Sequence, residues 1–145
     1  MVVDVSEKVI VITGSSKGIG ASIARAFAKE NAKIVINYND SEKQAKELYA
    51  ELLEHNRNCI LVKCDVSKVN EVNYLHDETL NAFGKVDVLI NNAGICYDRK
   101  VHLMTLEEWQ KVVDVNLTGT FLCASKFAKT MITQKKWKNH KYFIS

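Results

Sequence analysis

Four short apolar runs recur along the chain: Lys8–Thr13 (KVIVIT), Lys33–Tyr38 (KIVINY), Cys59–Cys64 (CILVKC) and Val86–Asn91 (VDVLIN). They are close to continuously apolar, without the polar alternation of a half-wet strand. A strand of that kind has no face to give to water and must be covered on both sides. The stretches between the runs supply the cover. Ile19–Glu30 has helical character, and Ser41–His55 carries Ala45, Leu48, Leu52 and Leu53 at helical spacing. Lys68–Phe83 reads as a third helix, closed by Gly84, and Leu106–Gln134 as a long helix with a break near Gly119. Tyr142–Ser145 reads as the start of a fifth strand. Strands alternating with helices in this way predict an α/β fold, a doubly wound parallel sheet with helices on both faces. The sheet is expected to be incomplete, with strands 1–4 and only the start of strand 5.

Composition narrows the function classes. At 145 residues the chain is read as one domain, residues 1–145. The net charge is +3 and the only dense basic stretch is Lys135–Lys141, so neither nucleic acid nor a membrane is an expected partner. The apolar run after Lys8 is too short to span a bilayer, and no signal peptide is visible, which makes the cytoplasm the default location. Cys59, Cys64, Cys96 and Cys123 form no CxxC pair, and no histidine lies at ligand spacing from them. They read as buried thiols in a reducing compartment, with no metal site.

The chemistry concentrates in Thr13–Gly20 (TGSSKGIG), between the first strand and the first helix. In that context Gly14 permits a tight turn, Gly18 lets the backbone approach a pyrophosphate, and Gly20 lets helix pack on strand. The helix amino terminus beyond offers free N–H groups and a partial positive charge to phosphates. Ser15, Ser16, Lys17 and Ile19 complete the loop. The spacing, TGxxxGxG, resembles that of the short-chain dehydrogenase/reductase family. Three further motifs follow in the family's order: Asp65-Val66 at the end of the third strand, NNAG at Asn91–Gly94, and Asn116 in VNLTG.

The resemblance implies a Rossmann-like domain that binds a nicotinamide cofactor. It implies that Asp65 and Val66 hold the adenine ring, and that Asn92, Ala93 and Gly94 line the nicotinamide ribose. It implies that Asn116 holds a water in a proton relay. Full-length relatives are expected to be homo-oligomers. An NAD site places a carboxylate after the second strand for the ribose 2′-hydroxyl. Here that place holds Asn37, Tyr38 and Asn39, with no acid before Asp40, and Lys17 adds a positive charge. The expected cofactor is therefore NADP(H), with NAD(H) as the alternative, and Asn39 joins the candidate binding residues.

The stretch Gly94–Trp109 resembles the 3-oxoacyl-thioester reductases, with Asp98 matching and Tyr97 differing, while Ile36-Asn37-Tyr38 is similar to glucose dehydrogenases. The family's serine, tyrosine and lysine relay is not found. Tyr38, Tyr49, Tyr74 and Tyr97 are followed four residues later by Glu42, Leu53, Glu78 and Val101, so no YxxxK occurs. The expected activity is hydride transfer between the nicotinamide and a small carbonyl or alcohol, silent in this stretch alone. The alternative is a nucleotide-binding or interaction module that never turns over. If Trp137–Ser145 (WKNHKYFIS) were encoded as TGG AAA AAT CAT AAA TAT TTC ATC AGT, the frame one base later would read GKIINISS, which resembles the family's fifth strand and its serine. A slip of reading frame just before Trp137 is the expectation, leaving apolar surface beside the fourth strand and on the long helix.

Overall fold

The computed structural model describes residues 4–55, 58–134 and 142–144. Strand β1 (Val9–Ile12) leads into helix α1 (Gly18–Lys29), β2 (Lys33–Tyr38) into α2 (Glu42–His55), and β3 (Cys59–Lys63) into α3 (Val69–Phe83). After β4 (Val88–Ile90) come a short 3₁₀ turn (Val101–Leu103), α4 (Leu106–Val113), a π-helical segment (Asp114–Thr118), α5 (Gly119–Gln134) and β5 (Tyr142–Ile144). The sheet is parallel throughout, in the order β3-β2-β1-β4-β5. This is the doubly wound, Rossmann-like arrangement anticipated from the apolar runs.

All four residues of β1 are fully buried, because the strand has neighbours on both edges and helices on both faces. Ile10 and Ile12, with Ile34, Ile36 and Ile90, meet Ala21, Ala24 and Ala28 of α1 and Leu48 and Leu52 of α2. Val11, Val35 and Leu89 point the other way, against Val72 and Leu75 of α3 and Cys123, Phe127 and Met131 of α5. The small residues on α1 let that helix lie close to the sheet, and their 3.6-residue spacing forms its buried stripe.

Side-chain bonds fix how the helices sit. Gln134 pins the end of α5 to the entry of β4, its Oε1 accepting from the Val86 amide at 3.0 Å and its Nε2 donating to the Val86 carbonyl at 2.9 Å. Between α3 and α5, His76 is nearly buried, with Nε2 2.7 Å from Thr130 Oγ1, Nδ1 2.9 Å from Asp77, and its ring edge-on to Phe127.

Two sequence expectations need amending. The helix read from Leu106 breaks earlier than Gly119, into α4 and a π-helical segment that starts at Asp114. The far edge of β4 is not open, since β5 pairs with it from Val88↔Tyr142 to Ile90↔Ile144. The exposed apolar face does occur on the helices, at Leu106, Trp109, Leu117, Phe121 and Ile132. The frame slip expected before Trp137 falls on residues 135–141, which lie outside the described residues. Among those described, no helix is long and apolar enough to cross a membrane.

The thiols divide in a way the sequence did not reveal. Cys59, Cys64 and Cys123 are buried, whereas Cys96 is exposed in the loop after β4. Burial pushes the Cys59 thiol up to about 11, and those of Cys64 and Cys123 to about 12. Since the thiolate is the reactive form, burial and protonation act together against those three. An aromatic disulfide reagent at neutral pH is therefore expected to titrate one thiol in the folded chain and all four in guanidinium.

Candidate functional site

The crossovers leaving β1 and β4 pass to opposite faces of the sheet, α1 to one and the α4–α5 unit to the other. Between those strands the two layers part, and the carboxyl ends of the strands open onto a crevice, the usual ligand position in such sheets. A cleft of about 1050 Å³ lies there. One wall is the glycine loop, with Gly14, Ser16, Lys17 and Ile19. Past it come the ends of β2 (Asn37–Ser41) and β3 (Cys64–Lys68), then Asn92–Ile95 after β4. The opposite wall is α4 with the start of the π-helical segment, presenting Leu106, Gln110, Lys111 and Asp114.

Thr13 holds the β1 and β4 ends together. Its hydroxyl accepts from the amides of Asn92 and Ala93, each at 3.0 Å, and donates to the Ile90 carbonyl at 3.4 Å. Asn92 returns the tie, its Nδ2 donating to the carbonyls of Thr13 and Gly14 at 3.0 Å each. Gly14 sits in this knot with φ of +60°, and a Cβ there would stand 2.7 Å from Ala93 Cα. Both the left-handed backbone and the close approach demand glycine. At Gly20 a Cβ would fall 2.5 Å from Asn92 Nδ2 and 2.8 Å from the Gly14 carbonyl, so α1 closes tightly onto the loop.

The amino terminus of α1 begins at Gly18, φ +57°, with nothing near the position a Cβ would take. Lys17 precedes it without a capping side-chain bond, and the first turn carries no acid. The free N–H groups and positive end of the helix dipole are therefore uncompensated by the chain itself. Of the anticipated residues, Gly14, Ser16, Lys17, Ile19, Asn39, Asp65, Val66, Asn92, Ala93 and Gly94 line the cleft. Ser15 does not: it is buried, and its hydroxyl donates to the Ile12 carbonyl at 2.8 Å. Gly18, exposed at the start of α1, and Gly20, buried against the loop, are not among the lining residues.

Asp65 forms a turn ahead of α3, its Oδ1 accepting from Ser67 N at 2.9 Å and Ser67 Oγ at 2.7 Å. Its own amide donates to Glu71 Oε2 at 2.7 Å. Asn116 lies in the π-helical segment, and its carboxamide pairs with the Ile95 backbone, accepting from N at 2.8 Å and donating to O at 3.0 Å. Reaching out of the helix to hold the loop after β4 accompanies the wider helical turn, a common setting for π-bulges.

Sequence reasoning passed over Thr13 and Asn37 as site residues and gave α4 no place in the wall. A signal was present for Asn37, the carboxamide within an otherwise apolar strand. Nothing in composition marked Gln110, Lys111 or Asp114, which reach the cleft only because the helix folds across its mouth. Asp40, the first acid after β2 in the sequence, also lines the cleft, beside Asn39.

Comparison with known proteins agrees with this geometry. A model of the short chain dehydrogenase family matches residues 8–138. The chain belongs to that family. It is 42% identical over 128 residues to a 3-oxoacyl-[acyl-carrier-protein] reductase of Synechocystis sp., covering 88% of this chain and 52% of that protein. It is 42% identical over 122 residues to glucose 1-dehydrogenase 2 of Bacillus subtilis, covering 83% and 47%. Among solved structures, a 3-ketoacyl-(acyl-carrier-protein) reductase from Brucella melitensis complexed with NADH superimposes with TM-score 0.81 at 35% identity, over 87% of this chain and 51% of that one. A short chain dehydrogenase from Burkholderia cenocepacia in complex with NADP gives 0.84 at 29%, over 88% and 52%. The chain spans about half the length of the curated relatives it matches.

The Thr13 knot generates a direct test. Thr13→Val keeps the shape but removes the acceptor, leaving the Ala93 amide unpaired at a cost of about 1–3 kcal/mol. Denaturant unfolding is expected to shift by that amount, with faster hydrogen exchange at Ala93.

Proposed function

We propose that residues 1–145 form the cofactor-binding half of an NADP(H)-dependent oxidoreductase. The reaction is hydride transfer between the nicotinamide and a carbonyl or alcohol, with a 3-oxoacyl thioester as the substrate class. The observation that carries this reading is the cleft at the β1–β4 divide, onto which the uncapped amino terminus of α1 opens. The residues fit a dinucleotide: Ser16, Lys17, Gly18 and Ile19 take the pyrophosphate, Asn39 the ribose, Asp65 and Val66 the adenine, and Asn92, Ala93 and Gly94 the nicotinamide ribose. The chemistry supplied by the cofactor when bound is hydride transfer at its nicotinamide ring. The protein's part is to hold and orient it, through the free N–H groups at the amino terminus of α1, set beside strand ends that Thr13 ties together.

Two features support NADP(H): Lys17 on the cleft wall, and no carboxylate at positions 37–39. Asp40 in the same wall supports NAD(H) as the second reading. Because the Asn116 carboxamide is engaged with Ile95, a water-holding role for this residue falls to its main-chain carbonyl, which also accepts from Thr120 Oγ1 at 2.8 Å. The thioester reading rests on likeness to the Synechocystis and Brucella reductases and on Asp98 in the loop after β4. The exposed apolar face of α4 and α5 supports assembly of the whole protein with copies of itself, and a cytoplasmic location fits a reductase without a membrane span among its described helices.

Calorimetric titration of the folded chain is expected to give tighter binding of NADP⁺ than of NAD⁺. Lys17→Ala, at an exposed side chain, is expected to weaken NADP⁺ about tenfold, or ~1.4 kcal/mol, and leave NAD⁺ nearly unchanged. Equal affinities in the wild-type chain favour the NAD(H) reading, and no binding of either refutes the site assignment. With no YxxxK in residues 1–145, no tyrosine and lysine stand at the family's spacing to protonate a carbonyl oxygen. The same preparation is expected to bind nucleotide without measurable oxidation of NADPH by a 3-oxoacyl thioester; robust turnover would overturn that.

A further inference from the structure

Asn37 stands in β2 where its neighbours Ile34, Val35 and Ile36 are fully buried aliphatics, and it is itself only 2% exposed. A buried carboxamide costs free energy unless both of its ends are satisfied. Here they are. Oδ1 accepts from the Gly14 amide at 2.9 Å, and Nδ2 donates to the Cys64 carbonyl at 3.0 Å, with the Val62 carbonyl at 3.4 Å. The orientation is forced, because an amide N–H only donates and a carbonyl only accepts. The main chain of the same residue continues the grip. Its N–H donates to Ser15 Oγ at 3.0 Å, and its carbonyl accepts from the Ser15 amide at 2.9 Å.

One residue thereby joins three strand ends: the glycine loop after β1, the end of β2 and the end of β3. Each of these carries a different part of the cleft, namely the phosphate loop, residues 38–41 and residues 64–68. An aliphatic side chain of similar size would fill the volume but leave the Gly14 amide and the Cys64 carbonyl without this partner. Aspartate would keep the first bond and turn the second into a carboxylate oxygen facing a carbonyl.

We propose that Asn37 is a positioning residue for nucleotide binding, which sets the phosphate loop and the adenine segment at fixed spacing before the ligand arrives. The proposal rests on the nucleotide-binding reading above and adds the residue that pre-organises it. A loop held in its bound form loses less freedom on binding, so affinity depends on this tie even though the tie is made within the protein.

The test is calorimetric titration of NADP⁺ against the wild-type chain, Asn37→Asp, Asn37→Leu and, as a control for lost stability alone, Leu52→Ala in the core under α2. Asn37→Asp is expected to bind about tenfold more weakly than wild type near neutral pH. Facing carbonyls disfavour the carboxylate, so below about pH 5 the acid regains a proton and, with it, the donor to Cys64. Its deficit relative to wild type at the same pH is then expected to shrink, while that of Asn37→Leu persists. Leu52→Ala is expected to melt earlier with unchanged affinity. Variants binding within about twofold of wild type, or an Asn37→Asp deficit that ignores pH and matches that of Leu52→Ala, would overturn the inference. Where a variant does not fold, hydrogen exchange on the wild-type chain decides: a Gly14 amide protected like those of β1 supports the tie, and exchange as fast as an open loop overturns it. Failure of folded wild-type chain to bind either NADP⁺ or NAD⁺ removes the nucleotide reading and this role with it, whereas normal wild-type binding with undiminished variants removes this role alone.

Discussion

The rest of the structure depends on the burial of β1 from every side. With β2 and β4 on its edges and helices on both faces, this strand has no contact with water until it ends at Thr13. Its backbone must then leave the sheet in a place where unpaired amides are costly. The chain meets that demand by exchanging bonds among strand ends: the Thr13 hydroxyl with Asn92 and Ala93, the Asn92 carboxamide with Thr13 and Gly14, and Asn37 with Gly14 and Ser15. The glycine loop is fixed as the exit of a buried strand: its Gly14 and Ser15 amides are spent on Asn37, and the N–H groups left over are those at the amino terminus of α1. Binding geometry is here a by-product of satisfying a buried sheet.

Helix α1 extends the same logic. Gly20 brings the helix against the loop so closely that no Cβ fits, and Ala21, Ala24 and Ala28 keep it low on the sheet. The amino terminus is thus delivered to one place relative to the strand ends, with its partial positive charge directed into the cleft. Farther out, Arg25 makes a two-pronged bond to Glu51 between α1 and α2 at 2.8–3.1 Å, but both side chains are nearly half exposed. Such a pair contributes little to stability beside the apolar contact beneath it.

How much of this was legible in the sequence follows from the range of the interactions. Apolar runs and helical spacing are local, so the strands, the first three helices and the two-faced sheet could be read to within a residue or two. The glycine motif and NNAG also declared themselves, because backbone demands at Gly14 and Gly20 exclude other residues. The π-helical turn was hidden: it arises where Asn116 reaches across to Ile95, twenty-one positions away. Asn37 was visible as a carboxamide in an apolar strand, but its partners were not, since they lie in the loop after β1 and at the end of β3. The division of the cysteines depended on where one loop emerges. The place of α4 in the cleft wall depended on a packing angle that no short pattern encodes.

That wall has a mechanical character of its own. No residue of α4 is buried. Its side-chain bonds are local: the Thr105–Glu108 capping box and the Gln110–Asp114 bond at 2.8 Å lie within it, and the Arg99–Glu108 ion pair at 3.1 Å ties it to the preceding loop. Elements secured by exposed bonds and few apolar contacts open at a lower free energy than the global unfolding that would release a core strand. The cleft therefore joins a stiff jaw, formed by knotted strand ends, to a compliant one. The stiff jaw lies where a dinucleotide would be gripped. The compliant one lies across from it, where molecules of differing shape could enter and leave without disturbing the sheet.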